Sequence, residues 1–170
     1  MNRAVFFDRD GVLNKLVSRD GGFFSPRTVD DFQLVPKAED VINQIKFEGY
    51  LCIAVSNQPD VARGYLDRSE LDKMTQILFE SLDLHDIFYC LHDDIDECGC
   101  RKPAPGLLFQ AKEKWNIDFT CSLMVGDTVK DLEVAKGVDM KFYLLDRTYN
   151  QSLQVKNRVT SLRDIIGFLD

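Results

Sequence analysis

The chain has 170 residues, 45% hydrophobic and 29% charged, which fits one soluble globular domain and leaves no material for a second core. Its 28 acidic against 21 basic residues give a formal charge of −7, which speaks against nucleic acid or an anionic membrane as the partner, since both reward a basic surface. No apolar run approaches the roughly 20 residues of a membrane span, and the first residues lack a basic stretch followed by an apolar signal core, so a cytoplasmic protein is expected.

Ala4-Val5-Phe6-Phe7 is a compact apolar run that stops at Asp8 and predicts a buried strand. The stretch from Gly11 to Pro36 is irregular. Behind it Ala38, Val41, Ile42 and Ile45 recur at helical spacing, and Gly49 ends that helix. Leu51 to Val55 predicts a second strand, stopping at Ser56. Leu71, Met74, Leu78 and Leu82 predict a helix capped at Ser69, with Asp72 three residues on. Ile87-Phe88-Tyr89 is a third buried strand, followed by a second irregular stretch from Cys90 to Gly106. Leu107, Leu108, Ala111 and Trp115 mark a third helix. Leu123-Met124-Val125 is a fourth strand ending at Gly126-Asp127, and a short helix from Leu132 stops at Gly137. Phe142 to Leu145 is the fifth strand, and Leu162 to Leu169 a last helix behind Ser161.

Continuous apolar strands alternating with helices indicate an α/β, three-layer fold with a mainly parallel, Rossmann-like sheet and right-handed crossovers. Residues 1–170 are read as a single domain with no room for a large inserted cap. Ligands of such sheets collect beyond the carboxyl ends of the strands, where Asp8, Ser56 and Asp127 fall.

Asp8 and Asp10 sit at i and i+2, on one side of an extended chain and close enough to repel. Alone they fit a solvated acidic turn equally well. Asp127 and Asp131 add two more acids after another strand end, and four carboxylates at one sheet edge would be costly without a cation. Mg²⁺, which takes one or two carboxylates, keeps water and leaves room for phosphate oxygens, resolves this.

The five cysteines are an odd number, which suits a reducing compartment. Cys90, His92, Cys98 and Cys100 lie within eleven residues, in a loop rich in Asp and poor in apolar residues. Three thiols and an imidazole at this spacing fit a closed, tetrahedral structural zinc site spanning 90–102. A redox pair is the alternative, but no C-x-x-C is present. Cys52 and Cys121 are expected to be buried packing thiols.

Taken in order, Phe7-Asp8-Arg9-Asp10-Gly11-Val12, Ser56-Asn57-Gln58, Arg101-Lys102-Pro103 and Val125-Gly126-Asp127 with Asp131 resemble the haloacid-dehalogenase-like phosphohydrolases along nearly the whole chain. The resemblance implies a phosphatase. Asp8 is then the nucleophile that becomes an aspartyl-phosphate. Asp10 is the acid and base, with its pKa raised by the neighbouring acid. Ser56 bonds a phosphoryl oxygen, and Lys102 balances its charge and that of Asp8. Asp8, the Asp10 carbonyl and Asp127 hold Mg²⁺, with Asp131 in support. Asn57, Arg101 and Arg63 are the expected substrate contacts; Arg63 is placed to reach a second phosphate, and reads equally well as an exposed loop arginine.

The Cys-x-His and Cys-x-Cys-Arg-Lys-Pro segments resemble the branch holding the D-glycero-D-manno-heptose 1,7-bisphosphate and histidinol-phosphate phosphatases. Ser56-Asn57-Gln58 and Val61 to Tyr65 look more like the heptose side, and the short His92–Cys98 spacing more like the histidinol side. Pro59-Asp60 departs from the heptose pattern and brings a carboxylate where a doubly phosphorylated sugar would be repelled. Gly21 to Leu34 reads as a substrate-facing flap. The expected partner is a small phosphorylated metabolite, with no nucleic acid and no membrane, and the chain is expected to be a monomer. Two readings of other classes stay open: a phospho-acceptor signalling module, disfavoured by Asp10 and the zinc loop, and a non-catalytic zinc-organised binding domain. His85 is given no role, and Trp115 is read as core.

Overall fold

Strands that are apolar at every position need cover on both faces, and the first one has it: Ala4, Val5, Phe6 and Phe7 are all fully buried. The computed structural model describes residues 1–169. Its elements are β1 (Ala4–Phe7), β2 (Val17–Arg19), β3 (Gly22–Phe24), α1 (Ala38–Phe47), β4 (Leu51–Asn57), α2 (Pro59–Ala62), α3 (Arg68–Leu82), β5 (Asp86–Cys90), α4 (Gly106–Trp115), β6 (Leu123–Gly126), α5 (Val129–Gly137), β7 (Lys141–Leu145) and β8 (Arg158–Val159). Short 3₁₀ turns include Thr148–Asn150 and the C-terminal Leu162–Phe168.

Six strands form one parallel sheet in the order β5-β4-β1-β6-β7-β8, and β2 and β3 form a separate antiparallel hairpin. The period-2 alternation of strand side chains divides the core in two. Val5, Phe7, Cys52, Ala54 and Leu145 pack under α1, α3 and the C-terminal turn, where Ile42, Ile45, Met74, Leu78 and Ile165 meet them. Phe6, Ile53, Val55, Met124 and Leu144 face α4 and α5, against Leu107, Ala111 and Val134. This is the three-layer α/β fold expected, without a large cap. Among the described residues no helix is long and apolar enough to cross a membrane.

Several local expectations are corrected. The cap of α3 is Asp67, not Ser69, and it makes no side-chain cap bond; Asp72 instead accepts from Arg68 at 2.9 Å on the exposed face. The α5 helix starts at Val129, three residues early, because Thr128 and Asp131 form a reciprocal capping box. Ile87-Phe88-Tyr89 is only half-buried, since β5 is an edge strand. Cys121 is exposed in a 3₁₀ turn, whereas Cys52 is buried, which pushes its thiol up to about 12. Trp115 is half-buried, and its indole donates to Asp86 at 2.8 Å. His85 accepts the Cys52 backbone N–H at 3.0 Å. The two-residue strand β8 carried no sequence signal.

The layer beneath α3 gives a stability prediction. Met74→Ala should destabilise the protein by about 2–5 kcal/mol, because the side chain is fully buried. Phe47→Ser, at a residue 85% exposed, should stay within about 0.5 kcal/mol. Urea unfolding of the two variants beside the parent measures both.

Candidate active site

The strand order reverses at β1, which leaves a crevice at the carboxyl ends of β1, β4 and β6. Asp8 follows β1, Ser56 is the next-to-last residue of β4, and Asp127 follows β6. Lys102 reaches this edge from the loop after β5. Its Nζ donates to the Val55 carbonyl at 2.8 Å and to Asp131 Oδ1 at 2.6 Å, and lies 3.0 Å from Asp8 Oδ1. Carboxylate oxygens of Asp8, Asp127 and Asp131 all fall within 4.8 Å of one another. Gly126 lets Asp131 approach this closely, because a Cβ there would collide with the Asp131 carboxylate.

One lysine does not balance three buried acids. Burial, and then Asp131, hold Asp8 well above the ordinary carboxylate range despite Lys102. Asp127 is pushed up to about 7, first by burial and then by Asp131. Burial alone would lower Lys102, but Asp131 and Asp8 outweigh it and raise the ammonium above its usual value. Asp127 Oδ1 is buried without a hydrogen-bond partner. An orphaned anionic oxygen among excess carboxylates is the donor set a hard divalent cation fits. Both Asp131 oxygens are already used, by Lys102 and by Thr128, which suits a supporting acid.

Asp10 departs from expectation. It turns away from the other acids onto the fully buried Arg9, whose Nη2 lies 2.9 Å from both of its oxygens. Asn14 donates to Oδ1 at 2.9 Å and Gln58 to Oδ2 at 2.6 Å. Burial by itself would raise the Asp10 pKa, but Arg9 and these donors leave it lowered. The anticipated raised value is therefore overturned, and the reason is local. After Phe7 the chain leaves the extended conformation and turns at Gly11 (φ +86°), so the i, i+2 alternation no longer applies.

The Cys/His loop folds into a compact cluster. Cys100 Sγ lies 3.2 Å from Cys90 Sγ, 3.3 Å from His92 Nδ1 and 3.5 Å from Cys98 Sγ. Cys90 Sγ lies 3.5 Å from Cys98 Sγ and 3.6 Å from His92 Nδ1. Tetrahedral edges of roughly 3.3–3.8 Å follow from zinc bonds of about 2.0–2.3 Å, so the four donors fit such an ion.

The crevice is a cavity of about 540 Å³ whose lining includes Asp8, Asp10, Ser56, Asn57, Arg101, Lys102, Asp127 and Lys130. Asn57 exchanges two bonds with the Lys102 backbone, at 2.9 and 3.0 Å, so it positions the lysine as well as lining the cavity. Arg101 lines it while paired to Asp94 at 2.7 Å. Arg63 does not line it; its guanidinium pairs with Asp93 at 2.7 Å through Nε. Asp60, expected to repel a phosphate, is likewise not in the lining and accepts from Arg27 at 2.7 Å. Of the expected flap, the start lines the cavity, through Gly22 and Phe23 of the β2–β3 hairpin and Ser25 just after it. Val29, Phe32 and Leu34 pack on the core instead. A larger cavity of about 690 Å³, between α1 and the C-terminal turn, holds none of the candidate residues.

Sequence reasoning gave no role to Arg9, Asn14, Gln58 or Tyr149. Arg9 and Gln58 adjoin residues already singled out and Asn14 lies four residues beyond Asp10, and the need to satisfy a buried Asp10 would have pointed to them. Tyr149 follows the carboxyl end of β7, the same sheet edge, and donates its hydroxyl to Asp127 Oδ2.

A sequence profile described as haloacid dehalogenase-like hydrolase matches residues 22–139. The chain belongs to that family. It is 38% identical over 159 residues to the D-glycero-beta-D-manno-heptose-1,7-bisphosphate 7-phosphatase of Pasteurella multocida, covering 87% of this chain and 83% of that one. The protein of the same name from Escherichia coli K12 is 32% identical over 157 residues, covering 85% and 79%. A crystal structure titled D,D-heptose 1,7-bisphosphate phosphatase from B. bronchiseptica, complexed with magnesium and phosphate, superposes with a TM-score of 0.84 at 23% identity, covering 98% of this chain and 97% of that one. A further one, from Burkholderia thailandensis, gives 0.70 at 18% identity, covering 98% and 97%. These two bear on the fold alone. As a haloacid dehalogenase-like hydrolase with such relatives, the chain is a phosphatase.

The Arg9–Asp10 pair yields a prediction. Arg9→Met leaves a buried carboxylate without its cation and should cost about 3–5 kcal/mol near neutral pH, read by urea unfolding. Because the Asp10 pKa is depressed in the folded protein, its stabilisation is present above the unfolded carboxylate value and is lost as pH falls. The parent–variant difference should therefore shrink in acid; a loss below about 1 kcal/mol near pH 7 contradicts the assignment.

Proposed function

We propose that this phosphatase removes the C7 phosphate of D-glycero-D-manno-heptose 1,7-bisphosphate through an aspartyl-phosphate on Asp8. The observation that carries the reading is Asp8 in the cavity floor, 3.0 Å from the Lys102 ammonium and beside the partnerless Asp127 Oδ1. The names of the relatives supply the sugar. Arg101 and Lys130 line the same cavity as Lys102 and put basic groups on the wall that a doubly anionic substrate would approach. The Asp60 charge is answered by Arg27, so the departure at Pro59-Asp60 does not oppose this substrate.

In the first step an Asp8 carboxylate oxygen attacks phosphorus and the bond to the sugar oxygen breaks. Lys102 offsets charge on Asp8 and on the transferring group, and Ser56 donates to a phosphoryl oxygen. In the second, water attacks the aspartyl-phosphate and returns Asp8. Asp10 is ionised in the resting geometry, ready as base toward that water. To protonate the leaving oxygen it must first be released from Arg9 and Gln58 and take up a proton from solvent; the attacking water then returns a proton to it in the second step. Asp8, the Asp10 carbonyl and Asp127 would hold Mg²⁺, with Asp131 in support; bound there, the ion neutralises charge on the phosphoryl oxygens. Cys90, His92, Cys98 and Cys100 would hold Zn²⁺, fixing the loop that carries Arg101 and Lys102. Residues 1–170 act as one domain, a cytoplasmic monomer without nucleic-acid or membrane partners.

Phosphate release should be tested on heptose 1,7-bisphosphate, histidinol phosphate and a panel of sugar monophosphates, with and without Mg²⁺. The heptose bisphosphate should give the highest kcat/KM, and Asp8→Asn should lower it by at least about 10³-fold. Preference for histidinol phosphate would move the chain to the other branch. Stoichiometric phosphorylation without turnover would make it a phospho-acceptor, and neither would leave a binding domain. Metal analysis should find one zinc per chain, reduced in Cys98→Ser together with Tm; full zinc in that variant contradicts the four-ligand site.

A further inference from the structure

Tyr149 makes a polar contact to the acid cluster that no catalytic step uses. Tyr149 stands in the 3₁₀ turn Thr148–Asn150, just past β7, and its hydroxyl donates to Asp127 Oδ2. The other oxygen of that carboxylate, Oδ1, is buried and has no partner. The same turn holds the Asp127 backbone, since Asn150 Nδ2 donates to the Asp127 carbonyl at 2.9 Å and to the Leu145 carbonyl at 3.0 Å. Arg147, one residue before the turn, donates Nε to the Gly11 carbonyl at 2.8 Å. Gly11 packs so close that a Cβ there would strike both the Asp127 carboxylate and the Tyr149 hydroxyl. The segment 147–150 thus braces the chain on both sides of the acid cluster. On the wall of the crevice the Tyr149 ring meets Phe23 of the β2–β3 hairpin, with centroids 5.1 Å apart and planes inclined by 45°.

We infer that Tyr149 is a positioning residue: its hydroxyl fixes the Asp127 carboxylate so that Oδ1 is offered to a divalent cation, and its ring ties that orientation to the substrate-facing hairpin. The inference rests on the reading of Asp127 as a metal ligand. Outer partners of a ligating carboxylate set its direction, and their loss typically weakens metal binding by about 10–100-fold. A ring packed on the hairpin adds a second restraint, so the hairpin's docking and the cation's affinity become linked. Phe23 is half exposed and its side chain has no hydrogen-bonding group to offer the acids, so its effect on the cation would have to pass through Tyr149.

The test is calorimetric titration of Mg²⁺ into the zinc-loaded protein without substrate. Tyr149→Phe keeps the ring and removes the donor; Tyr149→Leu removes both. Both should bind Mg²⁺ about tenfold more weakly than the parent, while zinc content and the Tm measured without Mg²⁺ stay at parental values in Tyr149→Phe. Phe23→Ala should weaken binding in the same direction by a smaller factor. In turnover, Tyr149→Phe should raise the Mg²⁺ concentration at half-activity and keep kcat at saturating Mg²⁺ within about twofold. Parental Mg²⁺ affinity in Tyr149→Phe overturns the inference, even if Tyr149→Leu is weakened, because packing alone would then carry the effect. Tighter binding also overturns it, making the hydroxyl a competitor for the carboxylate. If the parent itself binds no Mg²⁺, the failure lies instead in the reading of Asp127.

Discussion

A single buried ammonium set among three buried carboxylates determines how this crevice is built. Lys102 contacts Asp8 and Asp131 and the Val55 carbonyl, with almost no access to water. Two of its neighbours answer one charge, and the third, Asp127, keeps an unpartnered oxygen and a pKa near 7. The site is therefore short of positive charge in the state described. That shortage is what a divalent cation would relieve, and the proposed affinity for a phosphoryl group depends on its doing so.

Much of the surrounding structure serves to keep Lys102 in place. Asn57 at the end of β4 clasps the Lys102 backbone, and the Cys/His cluster shapes the loop that precedes it. Asp131 is held by the first turn of α5, where it caps Thr128. Asp10 belongs to a second, separate charge system with Arg9, Asn14 and Gln58. This separation lets one strand end carry two acids with opposite displacements, Asp8 above its ordinary pKa and Asp10 below. On the proposed mechanism, a nucleophile and a proton-handling group so close in sequence need such different surroundings.

The sheet and most of the site were legible because buried parallel strands announce their ends. Runs such as Ala4 to Phe7 and Leu123 to Val125 stop abruptly at polar residues, and those residues are the ones at the crevice. The zinc-type cluster was legible from spacing alone. The direction of Asp10 was not, since it depends on a turn at Gly11 and on burial of Arg9, neither of which periodicity reveals. Arg63 and Asp60 were placed by motif proximity, but ion pairs with Asp93 and Arg27 draw them aside. Tyr149 lies 22 residues beyond Asp127 in an irregular turn, and only the fold brings the two together.

The central claim is that the phosphoryl group passes through Asp8. Acid-quenched turnover followed by borohydride reduction and peptide mass spectrometry tests it directly, because an acyl phosphate is reduced to the alcohol. The account predicts homoserine at position 8, formed only when substrate is present. Turnover at full rate with Asp8 unmodified, or the modification at Asp10 or Asp127, would contradict it.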